Sequence, residues 1–300
     1  LWYKHWLKSW LLSDVSIDEL KRVAQRELDD VKLRRARITQ STIANEMYYK
    51  RAENKKIISA FRKREQIVSK NVKAVIGTSF NASPVNIVES SLPKSFPAPG
   101  IYNPITSEFI YHLQSNNLPS KHMDWLYLHE AVPGHHYQNQ FLAKHALCES
   151  YSQQVESTVF GEGWAAYIET LGSELGLYTD TASLEYALDW QALRAVRVLL
   201  DIGIHAEGWT DAQAQKIWMQ YIPEQKEIMQ REIARIRRWP VQVITYVYGK
   251  SKILDALSQL KKSRPDKPVD QLRHEILALS NYSLNSLALW NNKLSDQLTA

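Results

Sequence analysis

Pro133 and Gly134 interrupt a tract that otherwise reads as helix, and they follow closely on a histidine and a glutamate. The run Leu128-His129-Glu130-Ala131-Val132-Pro133-Gly134-His135-His136 gathers three histidines and one glutamate within eight residues. This approaches the His-Glu-x-x-His spacing, in which two histidines one turn apart bind zinc and the glutamate activates water. It also departs from it, because the residue four positions after His129 is Pro133.

On an unbroken helix His136 would share the face of His129 but lie about 10.5 Å further along, and His135 would lie about 9 Å along and off that face. Two imidazole nitrogens that must each sit about 2.0–2.1 Å from one zinc ion are poorly served by such a separation. Pro133, however, has no N–H for the carbonyl of His129, and its ring clashes with the preceding turn. Gly134 adds backbone conformations closed to other residues. A local bulge at 131–134 is therefore expected, drawing a later histidine back towards His129. The competing reading is a chance group of surface histidines beside a kink.

A third ligand, from a separate helix, is offered by Phe160-Gly161-Glu162-Gly163-Trp164-Ala165-Ala166-Tyr167-Ile168-Glu169. Glu162 lies between two glycines at an apolar, aromatic helix start. Small neighbours let another backbone approach, and a buried glutamate requires a cation or a hydrogen-bond partner. The plain alternative is a solvated acid favoured by the helix dipole. Glu169, two turns on along the same face, suits the holding of a ligand histidine, with an ordinary exposed acid as its alternative.

Three hundred residues, 44% hydrophobic and 23% charged, are enough for one large domain or two ordinary ones. No apolar run approaches the roughly 18 residues of a membrane span, so none is expected. The single Cys148 excludes an internal disulfide and a cysteine-held zinc. The chain starts at Leu1 with no signal-peptide pattern, which reads as a truncated or processed N-terminus. Residues 1–75 carry 18 Lys and Arg against 9 Asp and Glu, and the remainder carries 19 against 23. The basic residues are interspersed with acids at helical spacing, so they read as a solvated helix face and no nucleic-acid partner is expected.

Residues 1–75 read as a helical segment, with Ser16-Ile17-Asp18-Glu19 as a capping box ahead of Leu20, Val23, Leu28 and Val31. Prolines and glycines punctuate 76–105, and Val85–Val88 and Glu108–Tyr111 are the expected strands of a small β element at about 76–112. From about 118 onward the pattern is again helical. The expected fold is mainly α, of the α+β kind, with a small sheet next to the metal-binding helix. It divides either into 1–75 and 76–300 or into one continuous domain. The helix over Arg194, Arg197, Asp201 and His205 carries a polar stripe, for which mutual pairing of Arg197 and Asp201 is the plain reading.

His-Glu-Ala-Val-Pro-Gly-His-His followed by Glu-Gly-Trp-Ala-x-Tyr resembles the bacterial DUF885 family, whose members look like gluzincin-type zinc metallopeptidases. Arg194 to His205 resembles that family's Arg-Ala-x-Arg-x-x-x-Asp-x-Gly-x-His helix. Arg235, Pro240, Gln242, Tyr246 and Gly249 fit a further family segment, and His274-Glu275 with Leu277 fit its closing one. The chain thereby resembles the C-terminal half of a family member. The resemblance implies a zincin-like helical catalytic domain and a zinc-dependent peptidase. Zn2+ would be held by His129, His135 and Glu162, with His136 as the alternative to His135. Glu130 would be the general base, and Tyr246 and His205 would stabilise the reacting carbonyl. Glu169, His136, Arg194, Arg197, Asp201, Gln242 and His274 would support the ligands or meet the substrate.

The resemblance further implies a peptide substrate, paired along an edge strand at 100–111. It implies a bacterial protein, periplasmic or lipoprotein-anchored through a missing N-terminal region. Oligomeric state is left open. Val241 and Ser280 stand where the family has glycine, and Glu275 where it has aspartate. These departures support an alternative, a catalytically impaired member acting as a peptide-binding or scaffold protein. A carboxylate-bridged di-iron bundle is disfavoured, since the chain has no paired Glu-x-x-His motifs.

Overall fold

The computed structural model describes residues 2–38, 47–145 and 157–279. Helix α1 (Trp2–Leu11) leads to α2 (Ile17–Ala36), which Ser16 caps by accepting the Glu19 N–H at 3.1 Å. The Glu19 carboxylate does not return to the cap. It accepts from Lys252 at 2.7 Å, so half of the expected capping box forms and the other half becomes a long-range ion pair. Leu20, Val23, Leu28 and Val31 face inward as their spacing requires. Helix α3 (Asn54–Ile76) ends at Gly77, whose φ of 73° is the left-handed cap that glycine adopts without cost.

The sheet that follows has three short strands, β2 (Asn86–Glu89), β3 (Gly100–Asn103) and β4 (Glu108–Tyr111), in the order β2-β4-β3. β4 has the bounds read from the sequence, and β2 is displaced by one residue from the expected Val85–Val88. The expected edge strand at 100–111 divides into two strands, β3 and β4, joined by a turn. β3 pairs antiparallel with β4, Tyr102 opposite Phe109, and forms one edge of the sheet. A further pair, β1 (Tyr48–Lys50) with β5 (Asn117–Pro119), joins three-residue strands too short to show alternation.

Beyond the sheet the chain is helical: α4 (Met123–Glu130), α5 (His135–His145), α6 (Thr158–Glu169), α7 (Thr181–His205), α8 (Asp211–Tyr221), α9 (Met229–Arg238), α10 (Thr245–Ser263) and α11 (Val269–Ala278). The fold is thus mainly α with small sheets, as expected. Every residue of α4 is buried, so its histidine and glutamate face protein rather than solvent. α6 and α10 cross at two glycines: a Cβ on Gly163 would lie 2.5 Å from the Cα of Gly249. That contact carries Glu162 inward. The hydrophobic core runs from Tyr3 to Leu279, and α2 packs along α7 across the expected division at residue 75. Among the described residues, no helix is long and apolar enough to cross a membrane.

Candidate metal centre

The Pro-Gly interruption is a break, not the bulge expected within one helix. Ala131 N–H still bonds the Tyr127 carbonyl at 2.9 Å, but Ala131 has φ −110° and ψ −108° and leaves the helix. The chain turns through 131–134 and restarts as α5 at His135. Gly134 makes the turn possible, because a Cβ there would lie 2.2 Å from the Leu128 carbonyl oxygen and 2.1 Å from that of His129. Folding back on the end of α4 in this way is closed to any other residue. Trp164 Nε1 pins the turn by donating to the Pro133 carbonyl at 2.9 Å. The His135 ring comes to 4.7 Å from that of His129, centroid to centroid.

Glu162 completes the cluster. Its Oε2 lies 3.5 Å from His129 Nε2 and 3.4 Å from His135 Nε2, and one ligand atom from each of the three residues falls within 4.8 Å of the others. His129 Nδ1 is 2.6 Å from Glu169 Oε1, and the other Glu169 oxygen pairs with Arg194. Arg194 lies over the Tyr246 ring at 4.7 Å. The Tyr246 hydroxyl accepts from Gln242 Nε2 at 3.3 Å, and Gln242 Oε1 accepts from Arg235 at 2.8 Å.

Burial and charge act against each other here. Burial disfavours a charge on His129, yet the neighbouring Glu162 and Glu169 carboxylates prevail and raise its pKa to about 9. Burial alone would raise Glu162, but His129 and His135 hold it well below the usual carboxylate range. Glu169 is likewise lowered, with Arg194 and His129 overcoming its burial. Glu130 goes the other way: burial raises it despite both histidines. The donor set fits a divalent cation. Glu162 Oε2 is buried and has no hydrogen-bond partner, and two imidazole nitrogens with one carboxylate oxygen form a known zinc set. The Glu169 contact fixes the His129 ring so that Nε2 faces the cluster.

The remaining expected residues divide. His136 is fully buried but turns away, with Nε2 2.8 Å from the Ser83 carbonyl and Nδ1 3.2 Å from the Tyr102 hydroxyl. His135 therefore is the member of the pair that meets Glu162. Arg197 and Asp201 do not pair with each other. Arg197 donates to Glu232 at 2.8 Å, and Asp201 accepts from Tyr3 at 2.7 Å and from the Val241 N–H at 2.9 Å. Each faces a different packed helix or loop, which supplies a partner that a one-turn spacing could not reveal. Val241 has φ 71°, a left-handed conformation natural to glycine and strained for a β-branched residue.

His205 is not brought to the centre. Its Nε2 is 2.9 Å from the Ile236 carbonyl, and its ring stacks on Tyr3 at the end of α7. His274 is also elsewhere, its ring against Phe141 on α5. Both occupy helix faces turned to other elements, and periodicity alone did not say which. Ser280 lies outside the described residues. Trp125 and Arg235 also border the centre, Arg235 from the family-like segment but without an expected role and Trp125 without any expectation. Trp125 sits one turn before His129, but its sequence context is that of any core tryptophan.

The fold and site define a class: mainly helical α+β proteins with a partly buried two-histidine, one-glutamate cluster beside a small sheet. The chain belongs to the family described as "Bacterial protein of unknown function (DUF885)", which matches residues 1–275. Solved structures that resemble it include two bacterial proteins. One, a "putative lipoprotein" from Colwellia psychrerythraea, has a TM-score of 0.77 at 21% identity and covers 97% of this chain and 55% of its own. The other, a "putative lipoprotein of unknown function" from Shewanella oneidensis, has a TM-score of 0.73 at 18% identity and covers 97% of this chain and 59% of its own. The chain thus spans little more than half the length of each, and at these identities the likeness is one of fold. No curated protein matches it.

Proposed function

We propose that this chain is a zinc-dependent peptidase. The observation that carries the reading is the convergence of His129, His135 and Glu162, with ligand atoms within 4.8 Å of one another and Glu169 behind His129. A divalent metal held there would lower the proton affinity of water and polarise a peptide carbonyl. Glu130, adjacent in sequence to a ligand and raised by burial, is suited to take a proton and later deliver it to the leaving amine. Tyr246, whose ring lies 6.1 Å from that of His129, is suited to donate to charge developing on the carbonyl oxygen. The edge strand β3 supports an extended peptide as substrate, since a Cβ on Gly100 would lie 3.3 Å from the Glu130 side chain.

The similarity in fold to the two lipoproteins supports a lipid-anchored or periplasmic placement in bacteria. A second reading, peptide binding without turnover, draws on Val241, a β-branched residue in a left-handed conformation next to Gln242. Metal content of the purified protein, compared with Glu162→Ala, tests the centre: about one zinc per chain, lost in the variant, is expected. Sub-stoichiometric zinc in both would sink it. Peptide-library cleavage by the parent protein and not by Glu130→Gln separates the peptidase from the binding reading.

A further inference from the structure

A groove of about 660 Å³ opens beside α4, bounded by Pro99 and the segment from His112 through β5, the first half of α7 and the start of α9. It shares a wall with the metal centre. Trp125 lines the groove, and its ring lies nearly parallel to that of His129, 5.9 Å away. Leu126 also lines it, and a Cβ on Gly100 would touch both Leu126 and Glu130.

The unmet hydrogen-bonding capacity inside this groove includes groups that can only donate. Trp125 Nε1 and Arg231 Nε are buried without an acceptor. His112, only 4% exposed, has neither ring nitrogen in a hydrogen bond of good geometry. The acid next to Arg231 in sequence, Glu232, pairs with Arg197 through Oε2 and makes no hydrogen bond to Arg231 through its other oxygen. Acids also line the groove, but they are arranged differently. Asp189 and Glu224 face Arg35, while Glu185 and Glu227 stand exposed at its rim. Donors left without acceptors, beside acids that are paired with Arg35 or exposed, select an occupant that brings acceptor oxygens to them.

We propose that this groove holds a carboxylate of the peptide substrate, a C-terminus or an acidic side chain, on Arg231 and Trp125. A guanidinium presents paired N–H groups that match a carboxylate, and the indole N–H adds a donor on the metal-centre side. The inference rests on the peptidase reading only for what happens to the bound peptide. The groove and its donors exist without it.

The test is calorimetric binding to the full chain carrying Glu130→Gln, so that turnover does not interfere. The probes are an alanine-rich peptide with one tyrosine and a free C-terminus, its C-terminal amide, and the amide with one internal glutamate. The expected result is binding about tenfold or more tighter for a carboxylate-bearing form than for the plain amide. The two carboxylate forms tell which source is read. Arg231→Gln should abolish the preference and Arg231→Lys should restore part of it. Equal binding of all three peptides, no binding, or a preference unchanged in Arg231→Gln would overturn the proposal. Cleavage by the parent protein without acid preference would sink only this inference. Acid preference without zinc or cleavage would sink only the peptidase reading.

Discussion

Glu169 holds His129 by its Nδ1 at 2.6 Å, while the same carboxylate pairs through its second oxygen with Arg194. One acid on α6 thereby orients a candidate metal ligand on α4 and neutralises a buried cation on α7. Orientation of this kind strengthens a metal site without touching the metal.

Glu169→Gln should therefore lower zinc affinity about 10- to 100-fold, measured by competition with a chromogenic chelator. An affinity equal to that of the parent protein would show that the packing of α4, not this contact, positions the ring.

Gly134→Ala should unfold the turn at 131–134. The added Cβ would lie 2.1 Å from the His129 carbonyl oxygen, and backbone cannot yield as a side-chain tip can. A loss of about 3 kcal/mol or more in urea unfolding is expected, with loss of bound zinc. Gly208→Ala is the control: its φ of 72° costs about 1–2 kcal/mol, but nothing lies within 4 Å of its Cβ. Equal effects at the two sites would contradict the close approach at Gly134.

Asp201 should impose a pH dependence on stability. Burial raises it to about 7, against hydrogen bonds from Tyr3 and the Val241 N–H. Its folded value lies above the unfolded one, so its stabilising share is complete below about pH 4 and is lost as pH rises towards 7. Asp201→Asn mimics the protonated form. The variant should match the parent near pH 4 and gain on it by at most about 1.4 kcal/mol per pH unit up to pH 7. A difference that stays flat between pH 4 and 8 would show that Asp201 is ionised throughout.

Arg197→Met should cost about 3–5 kcal/mol, because it strands the fully buried Glu232. Adding Glu232→Leu should recover much of the loss in thermal or urea unfolding. If the double variant is as unstable as the sum of the single ones, the pair acts through packing rather than charge.

The sequence was most legible where a residue's local duty and its tertiary duty coincide. Ser16 caps α2 as its spacing foretold, and Glu108–Tyr111 is a strand with the expected bounds. Glu162 between its glycines was readable because close helix packing leaves a compositional mark. The stripe Arg194, Arg197, Asp201 and His205 was not readable in the same way. Its spacing fits internal pairing, yet its members bind Glu169, Glu232, Tyr3 and the Ile236 carbonyl.

By itself, then, the sequence determined the helical tracts, the small sheet and the donor types available for a metal. It also determined that a helix could not continue through Pro133. Only the tertiary structure decided that the chain breaks instead of bulging there, and that His135 meets Glu162 while His136 turns to Ser83 and Tyr102. The reason is physical. The direction of a side chain beyond a break depends on how the chain re-enters a packed core, and that is set by Trp164 and the α6–α10 crossing, far away in sequence.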